Sequence, residues 1–168
     1  MSMIMQYVRL RSDELTRLRD LLRSDPNGAF DFVDELADLA VDDVPEGRTF
    51  DTDRAWAGLD HLLEKAGGAP VNVIYGEEAL TVDDWGYAPP RLLDPAEVRA
   101  GADYLSALPF DRLAEHYDAE ALTRAGVYPE IWHTDERARD YLRRWYDGLA
   151  TFFARAAAAG DSLVIYLT

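Results

Sequence analysis

Apolar and polar positions along the chain follow a helical period over most of its length, and only three short runs depart from it. These runs combine apolar, β-branched and aromatic residues without helical spacing, and they are Met3–Leu10, Val71–Tyr75 and Ser162–Leu167. Runs of this kind are typical of strands. We therefore expect three short strands, one near each end of the sequence and one near its middle.

Helical spacing of apolar residues predicts most of the remaining structure. We expect helices over residues 13–23, 29–40, 95–108, 110–117, 119–125 and 135–159. One more, which carries Trp56, is capped within Asp51–Asp53 and ends at Gly67-Gly68. Turn-forming residues separate these segments, and residues 76–93 form a long loop whose Pro89-Pro90 pair no helix would tolerate. A small sheet of about three strands packed by many helices predicts an α+β fold. Since no linker or repeat divides the sequence, we expect one domain over residues 1–168.

In two of the predicted helices the sequence also predicts the roles of particular side chains. Asp94 precedes Pro95, and Glu97 stands three positions after Asp94, which predicts an N-cap with a capping box. In the last helix, apolar residues at helical spacing predict a buried stripe. The stripe consists of Tyr141, Leu142, Trp145, Leu149, Phe152 and Phe153.

The composition excludes several classes of function. Asp and Glu number 32 against 17 Lys and Arg, and the formal net charge of −15 at pH 7 repels phosphate backbones, so we expect no nucleic acid ligand. The absence of cysteine excludes disulfides, thiolate nucleophiles and cysteine-ligated metal centres. No apolar run approaches the ~18 residues of a membrane span, and no signal peptide is recognisable. We expect a cytoplasmic protein without a membrane partner.

The negative charge is concentrated between Asp31 and Asp53, where nine acidic residues accompany a single base, Arg48. Five of these acids share one face of the second predicted helix, namely Asp31, Asp34, Glu35, Asp38 and Asp42. Such a face is suited to docking a basic protein, because opposite charge speeds association. The alternative interpretation is a solvated face that keeps the protein in solution.

Motifs for catalysis or metal binding are weak. His61, His116 and His133 show no paired zinc-ligand spacing, and the acids lack the spacing of a calcium loop, so we predict no metal and no cofactor. His61 or His133 could act as a general base if the fold placed a carboxylate beside it, although surface or capping roles are the simpler interpretation. The sequence has neither a nucleophile elbow nor a glycine-rich phosphate loop, and we predict no catalytic residue.

Two irregular segments, Asp83–Arg91 and Tyr128–His133, combine aromatic and polar residues as ligand-binding loops often do. If the fold brings them together, they form a cleft with Arg91 and Glu130 as its polar contacts. The candidate cleft residues are Trp56, Asp84, Tyr87, Arg91, Glu130, Trp132, His61 and His133. The alternative is that the aromatic residues among them belong to the core and lie beneath long loops.

Five segments, taken together and in this order, carry a resemblance to a known family. They are Met3–Met5, Asp53–Leu59, Asp84–Leu93, Tyr128–Trp132 and Leu163–Leu167. The combination resembles the YfbM-like family of small bacterial proteins, a domain of unknown function, over essentially the whole chain. The resemblance implies a single α/β domain without an established activity. Because members of such families sometimes lie beside secreted-toxin genes, it also implies an immunity or interaction role.

The chain departs from the family pattern at three positions. Ala57 and Asp60 stand where histidines are usual in the family, and Ala88 replaces the second glycine of its Gly-Tyr-Gly-Pro motif. The resemblance therefore implies that any chemistry performed by those histidines is lost here. This weakens the case for an enzyme.

Two hypotheses of function follow. The first is a non-catalytic acidic protein that binds a basic protein, conceivably a toxin domain, through the acids between Asp31 and Asp53. The second is a small-molecule binder or hydrolase that uses the cleft of the two aromatic segments, with His61 or His133 as base. A deep pocket that joins Arg91, Glu130 and a histidine would favour the second hypothesis. A domain with no ligand remains a third interpretation.

Overall fold

The structure, a computed structural model, describes residues 1–43 and 47–168, with the side chains of residues 39–43 outside this description. Within these residues the helices are α1 (Ser12–Ser24), α2 (Pro26–Asp43), α3 (Trp56–Lys65), α4 (Pro95–Ala107), α5 (Phe110–Leu113), α6 (Ala119–Arg124) and α7 (Ala138–Ala159). The strands are β1 (Met5–Leu10), β2 (Thr49–Asp51), β3 (Glu78–Ala79), β4 (Arg91–Leu93) and β5 (Ser162–Leu167). The fold is α+β, as the sequence predicts, but the described residues form five strands instead of three.

The strands form one antiparallel sheet in the order β2-β1-β5-β4-β3. At its centre, β1 pairs with β5 over its whole length, from Met5 opposite Leu167 to Leu10 opposite Ser162. β2 extends the sheet beyond β1, and β4 extends it beyond β5. Strands from opposite ends of the sequence therefore form the centre of the sheet.

Alternation of side chains along the central strands divides the core into two layers. Tyr7 and Ile165 point to the face that α3, α4 and α7 cover, where the larger apolar cluster lies. Val8 and Val164 point to the other face, where they pack with residues of α1 and α2 and with Trp85. The sheet thus lies between two helical layers, and the position of a residue in β1 or β5 decides which layer it joins.

The prediction of a strand at Val71–Tyr75 is wrong, because this segment forms a turn. The Asn72 side chain accepts hydrogen bonds from the backbone N–H groups of Ile74 (3.1 Å) and Tyr75 (2.9 Å). A side chain that binds nearby backbone in this way competes with strand pairing. Ile74 is still buried, and its carbonyl oxygen accepts a hydrogen bond from the Tyr7 hydroxyl at 3.1 Å. Apolar residues occur from Val71 to Tyr75 because the turn packs against the core, and not because they form a strand.

The strands that sequence analysis missed are β2, β3 and β4, which contain only two or three residues each. Alternation cannot be recognised over so few positions. β4 lies at the end of the segment predicted as a loop over 76–93, and its Leu92 pairs with Val164 of β5. These short strands exist because the central pair offers them an edge.

The described helices agree with the predicted ones to within a few residues, and the largest difference concerns the turn predicted at Asp25–Gly28. There α2 begins at Pro26, so that Asp25 alone separates α1 from α2. The Asp25 carboxylate accepts a hydrogen bond from the Gly28 N–H at 3.1 Å, which satisfies a donor of the first helical turn. Proline is tolerated in that turn. Residues 26–28 therefore begin α2 and do not form a separate turn between the helices.

The predicted stripe of α7 faces the larger apolar cluster. Leu142, Leu149, Phe152 and Phe153 are buried, whereas Tyr141 and Trp145 are half-buried. Tyr146, which lies outside the predicted stripe, is also buried, and its hydroxyl donates a hydrogen bond to the carbonyl of Leu108 at 2.6 Å. The buried face of α7 is therefore wider than the sequence pattern indicates.

With 22 residues, α7 is the length of a membrane-spanning helix. However, its sequence carries charges at intervals along the first half, including Arg139, Arg143 and Asp147. No helix in the described part of the chain combines sufficient length with the apolar character that a membrane crossing requires.

Leu149 gives a direct test of this packing. Its side chain is fully buried, and Leu149→Ala should lower the free energy of unfolding by about 2–5 kcal/mol through lost burial and a residual cavity. Thr151→Ala, at an exposed position of the same helix, is the matched control and should change it by less than about 0.5 kcal/mol. Urea unfolding measures both variants. Equal unfolding midpoints would show that the α7 stripe does not stabilise the core.

The predicted capping box of α4 is confirmed. The Glu97 N–H donates to Oδ1 of Asp94 at 2.8 Å, and the Asp94 N–H donates to Oε1 of Glu97 at 3.2 Å. Asp94→Ala should therefore lower the free energy of unfolding by about 0.5–2 kcal/mol. Asp94→Ser keeps a capping oxygen and should retain most of this stability in the same urea titration. Similar losses in both variants would mean that the cap itself contributes little.

Candidate functional site

A groove lies where the beginning of α2 meets the loop that precedes β4. We call it the acidic groove, and its lining includes Leu22, Phe30, Asp31, Asp83, Asp84 and Trp85. Its volume is about 430 Å³, which is within the range of ligand-binding clefts. The groove joins Asp31, predicted as a docking residue, to Asp84, predicted as a residue of a separate cleft.

Aromatic rings form the floor of the acidic groove. Phe30 and Trp85 pack edge-on with ring centroids 5.4 Å apart, and both contact Tyr166 of β5 in the same geometry. Gly86 follows with a φ of +85°, and a Cβ at this position would lie 2.4 Å from the carbonyl oxygen of Leu167. Only glycine allows the loop to approach β5 so closely. The Trp85-Gly86 pair therefore holds the loop against the sheet.

The rim of the groove is negatively charged. Asp31, Asp83 and Asp84 are exposed, and no lysine or arginine is among the described residues that line the groove. Tyr166 lies under this surface, and burial, together with the charge of Asp34, raises its pKa to about 12. The rim thus presents carboxylates that no cation of the described residues compensates.

The acidic face of α2 continues from this rim. Asp34, Glu35 and Asp38 are exposed, and with the described residues they form no ion pair. The side chain of Asp42, the fifth predicted docking residue, lies outside the described residues. Arg48, the single base of the acidic segment, pairs instead with the buried carboxylate of Glu14.

A second cleft, of about 410 Å³, lies beside α3 on the other side of the sheet. We call it the aromatic cleft, and its lining includes Trp56, Asp60, His61, Glu64, Tyr75 and Tyr128. Trp56 stacks on Tyr128 with ring centroids 5.8 Å apart, and it meets Tyr75 edge-on at 5.9 Å. Ala57 and Asp60, the positions where the resemblance implies histidine, both line this cleft.

The backbone of Met3 holds two of these rings in place. Trp56 donates its indole N–H to the Met3 carbonyl oxygen at 2.9 Å, and the Met3 N–H donates to the Tyr128 hydroxyl oxygen at 3.1 Å. Behind them Gly58 lets α3 approach Trp132, since a Cβ there would lie 2.6 Å from the indole ring. The walls of the aromatic cleft are therefore rigidly supported before any ligand arrives.

Asp60 is the most perturbed acid of the aromatic cleft. Burial, and to a lesser degree the charge of Glu64 one turn away, raises the pKa of Asp60 to about 6. Burial and the nearby Asp60 charge raise the pKa of Tyr75 to about 12, while burial and Lys65 lower the pKa of His61. A perturbed carboxyl group in a cleft is a candidate for binding or proton transfer.

The predicted cleft residues do not come together in one place. Trp56 and His61 line the aromatic cleft, and Asp84 lines the acidic groove. Trp132 is a core residue with 3% of its surface exposed, and its indole N–H donates to the Val127 carbonyl oxygen at 2.7 Å.

The other four predicted cleft residues are exposed, namely Tyr87, Arg91, Glu130 and His133. The guanidinium of Arg91 donates to the Glu77 carbonyl oxygen at 2.7 Å, and Tyr87 contacts Met1. Neither the acidic groove nor the aromatic cleft contains Arg91, Glu130 or His133. Among the described residues, no group of three or more His, Asp or Glu side chains is arranged to hold a metal ion.

Sequence analysis did not single out several residues of the two clefts. Phe30 and Tyr75 resemble ordinary apolar positions in the sequence, and Asp60 stands out only as a departure from the family pattern. One local signal was available, because Asp60 and Glu64 are four residues apart and lie next to each other on a mostly apolar helix. The approach of Tyr75 and Tyr128 to that helix has no local signal.

A family model described as a domain of unknown function, DUF1877, matches residues 1–166 of the chain. The chain belongs to the DUF1877 family. Its fold is similar to the crystal structure of YfbM from Escherichia coli, a protein of unknown function, with a TM-score of 0.67, 17% sequence identity, and coverage of 98% of this chain and 99% of that chain. At this identity the likeness shows a shared fold alone. No curated protein matches this DUF1877 sequence.

The resemblance to the YfbM-like family is thereby confirmed. The family description assigns no activity, so a function for this DUF1877 chain has to be argued from its own surface.

Asp60 allows a test by pH. Since its pKa is raised to about 6 in the folded protein, its charge destabilises the native state above that pH, and the cost disappears as the pH falls toward 4. Asp60→Asn should therefore stabilise the protein at about pH 7.5, by about 1 kcal/mol after allowance for the solvent that still reaches the carboxylate. This increase in the free energy of unfolding should be smaller at about pH 4.5.

Urea unfolding at both pH values measures this difference, with Asp103→Asn on the exposed side of α4 as the matched control. The control should show no gain at either pH. A gain for Asp60→Asn that is the same at both pH values would contradict the assignment of an unfavourable charge to Asp60.

Proposed function

We propose that this protein binds a basic protein partner and that the acidic groove is the contact surface. The observation that carries the proposal is the combination, in one groove, of an aromatic floor with a rim of three aspartates. A partner segment with an apolar side chain flanked by Arg or Lys is complementary to both parts. Protein interfaces commonly have this arrangement, with an apolar centre and a charged rim.

The surface around the groove supports a protein ligand over a small molecule. Val82, beside Asp83 on the loop, is 93% exposed, which is unusual for a large apolar side chain. The exposed acids Asp34, Glu35 and Asp38 extend the negative surface along α2. A partner could therefore contact the loop, the groove and the helix at the same time.

Long-range charge favours the encounter. The formal net charge of −15 attracts a basic partner at distances beyond direct contact, and the effect weakens as salt shortens the Debye length from about 30 Å at 0.01 M to about 10 Å at 0.1 M. An immunity-type protein that covers a basic toxin domain is one form of this function. No catalytic residue is needed for it.

The alternative function was a small-molecule binder or hydrolase in a cleft between Trp85–Arg91 and Tyr128–His133. It has less support, because Asp84 lies in the acidic groove whereas Glu130 and His133 line neither cleft.

The proposal is tested with a basic amphipathic helical peptide that carries leucines among its arginines. The triple variant Asp31→Asn, Asp83→Asn, Asp84→Asn should bind this peptide about tenfold more weakly than the wild type, since each rim charge contributes about 0.2–1 kcal/mol. Calorimetric titration measures the affinity, and ¹⁵N chemical shifts should place the peptide at Phe30 and Trp85.

The matched control removes the same charge elsewhere, through Asp103→Asn, Asp140→Asn and Asp147→Asn on α4 and α7. It should retain most of the affinity. Equal weakening in the two triple variants would show that the peptide responds only to net charge, and the groove would not be the binding surface. A second peptide with serines in place of the leucines should bind the wild type more weakly.

A further inference from the structure

The aromatic cleft differs from the acidic groove in its chemistry. At its wall the Trp56 ring contacts the rings of both Tyr75 and Tyr128, and Asp60 and Glu64 line the same space. Electron-rich ring faces attract positive charge, and carboxylates do so more strongly. The aromatic rings and the carboxylates of the cleft therefore both favour a positively charged ligand.

The Asp60 and Glu64 carboxylates have no ion-pair partner in the part of the chain that the structure describes. Neither side-chain carboxylate accepts a hydrogen bond from the described residues. Asp60 is half-buried, so its charge is partly removed from water without compensation. Such a group is costly unless something outside the chain pairs with it.

We propose that the aromatic cleft binds a small organic cation, an alkylammonium or quaternary ammonium group, which pairs with Asp60 and Glu64 and packs its methyl or methylene groups against Trp56, Tyr75 and Tyr128. The cleft volume of about 410 Å³ accommodates a ligand of this size. A bare divalent cation fits less well, because it needs several oxygen ligands at close range, and Trp56, Ala57 and Val127 make part of this lining apolar.

The walls are already in the geometry that binding needs. The Met3 carbonyl accepts a hydrogen bond from Trp56, and the Met3 N–H donates one to Tyr128. The Tyr75 N–H donates to the Asn72 side chain at 2.9 Å. A cleft that does not have to reorganise loses less entropy when a ligand binds. A small cation can therefore be bound with few contacts.

Binding should depend on pH through the groups that face Asp60. These are Glu64 on α3, Tyr7 on β1 and Tyr75 in the turn before β3, together with His61 and Tyr128, which line the same cleft; Lys65 acts on His61. As the pH falls through about 6, Asp60 takes up a proton and loses its charge, and at low pH His61, whose pKa burial and Lys65 lower, gains a positive charge. Both changes repel or release a cation, so affinity should fall as the pH drops from about 7.5 to about 5.

Choline is a suitable probe because its quaternary ammonium group keeps its charge at every pH, and n-butylamine represents the primary amines. The control ligand is 3,3-dimethyl-1-butanol, which has the shape of choline without the charge. We expect choline to shift the indole N–H resonance of Trp56 and the amides of Tyr75 and Tyr128 in ¹⁵N spectra. The neutral control should bind at least about tenfold more weakly than choline.

Asp60→Asn and Glu64→Gln should each lower the affinity for choline about fivefold to tenfold, whereas Asp103→Asn should leave it unchanged. The triple variant of the acidic groove should also bind choline normally, so failure at one site can be told from failure at the other. Absence of localised shifts with both cations at about 50 mM would overturn the proposal. Equal affinity for choline and its neutral analogue would also overturn it, since the cleft would then be merely apolar.

Discussion

The antiparallel pairing of β1 with β5 is the constraint on which the rest of the structure depends. Its hydrogen-bonded ladder continues past Met5 and Leu167, where Ile4 and Thr168 exchange two backbone bonds of 2.7 and 3.0 Å. Helices cover both faces of the pair, so its hydrogen bonds are protected from water. At the other end, Arg9 pairs with Asp161 at 2.9 Å, and both side chains are nearly buried. Loss of either partner would leave a buried charge without its counter-ion, which destabilises a fold strongly.

Both clefts are attached to the same end of this central pair. Leu167 accepts a backbone hydrogen bond from Tyr87 at 2.8 Å and lies against Gly86, which positions the loop of the acidic groove. Met3, two residues before β1, holds the aromatic rings of the other cleft. The floor of the acidic groove packs on Tyr166 in the layer of α1 and α2, whereas the aromatic cleft lies beside α3 in the other layer, so the two clefts open on different layers of the molecule.

The acidic residues divide into two groups with different roles. Glu14 and Asp161 are buried and paired with arginines, and Glu78 pairs with Arg19 at 3.1 Å across to α1, so these acids hold elements of the fold together. Asp31 and Asp60, by contrast, lie in clefts with no cation of the described chain paired to them. Ion pairing thus separates Glu14 and Asp161, which hold elements of the fold together, from Asp31 and Asp60, which have no cation of the described chain paired to them.

The sequence by itself determined the elements whose signals are local. Helix periodicity, the Asp94 capping box and the apolar runs of β1 and β5 each depend on residues within one or two turns, and all of them appear in the structure. Tertiary structure alone decided that the Val71–Tyr75 run folds as a turn and that short segments become strands, since a two- or three-residue strand exists only beside an edge. Tertiary structure also decided which residues line each cleft. Asp31 meets Asp84, and Trp56 meets Tyr128, through packing on a sheet whose central strands come from opposite ends of the sequence, and no local pattern encodes such a meeting.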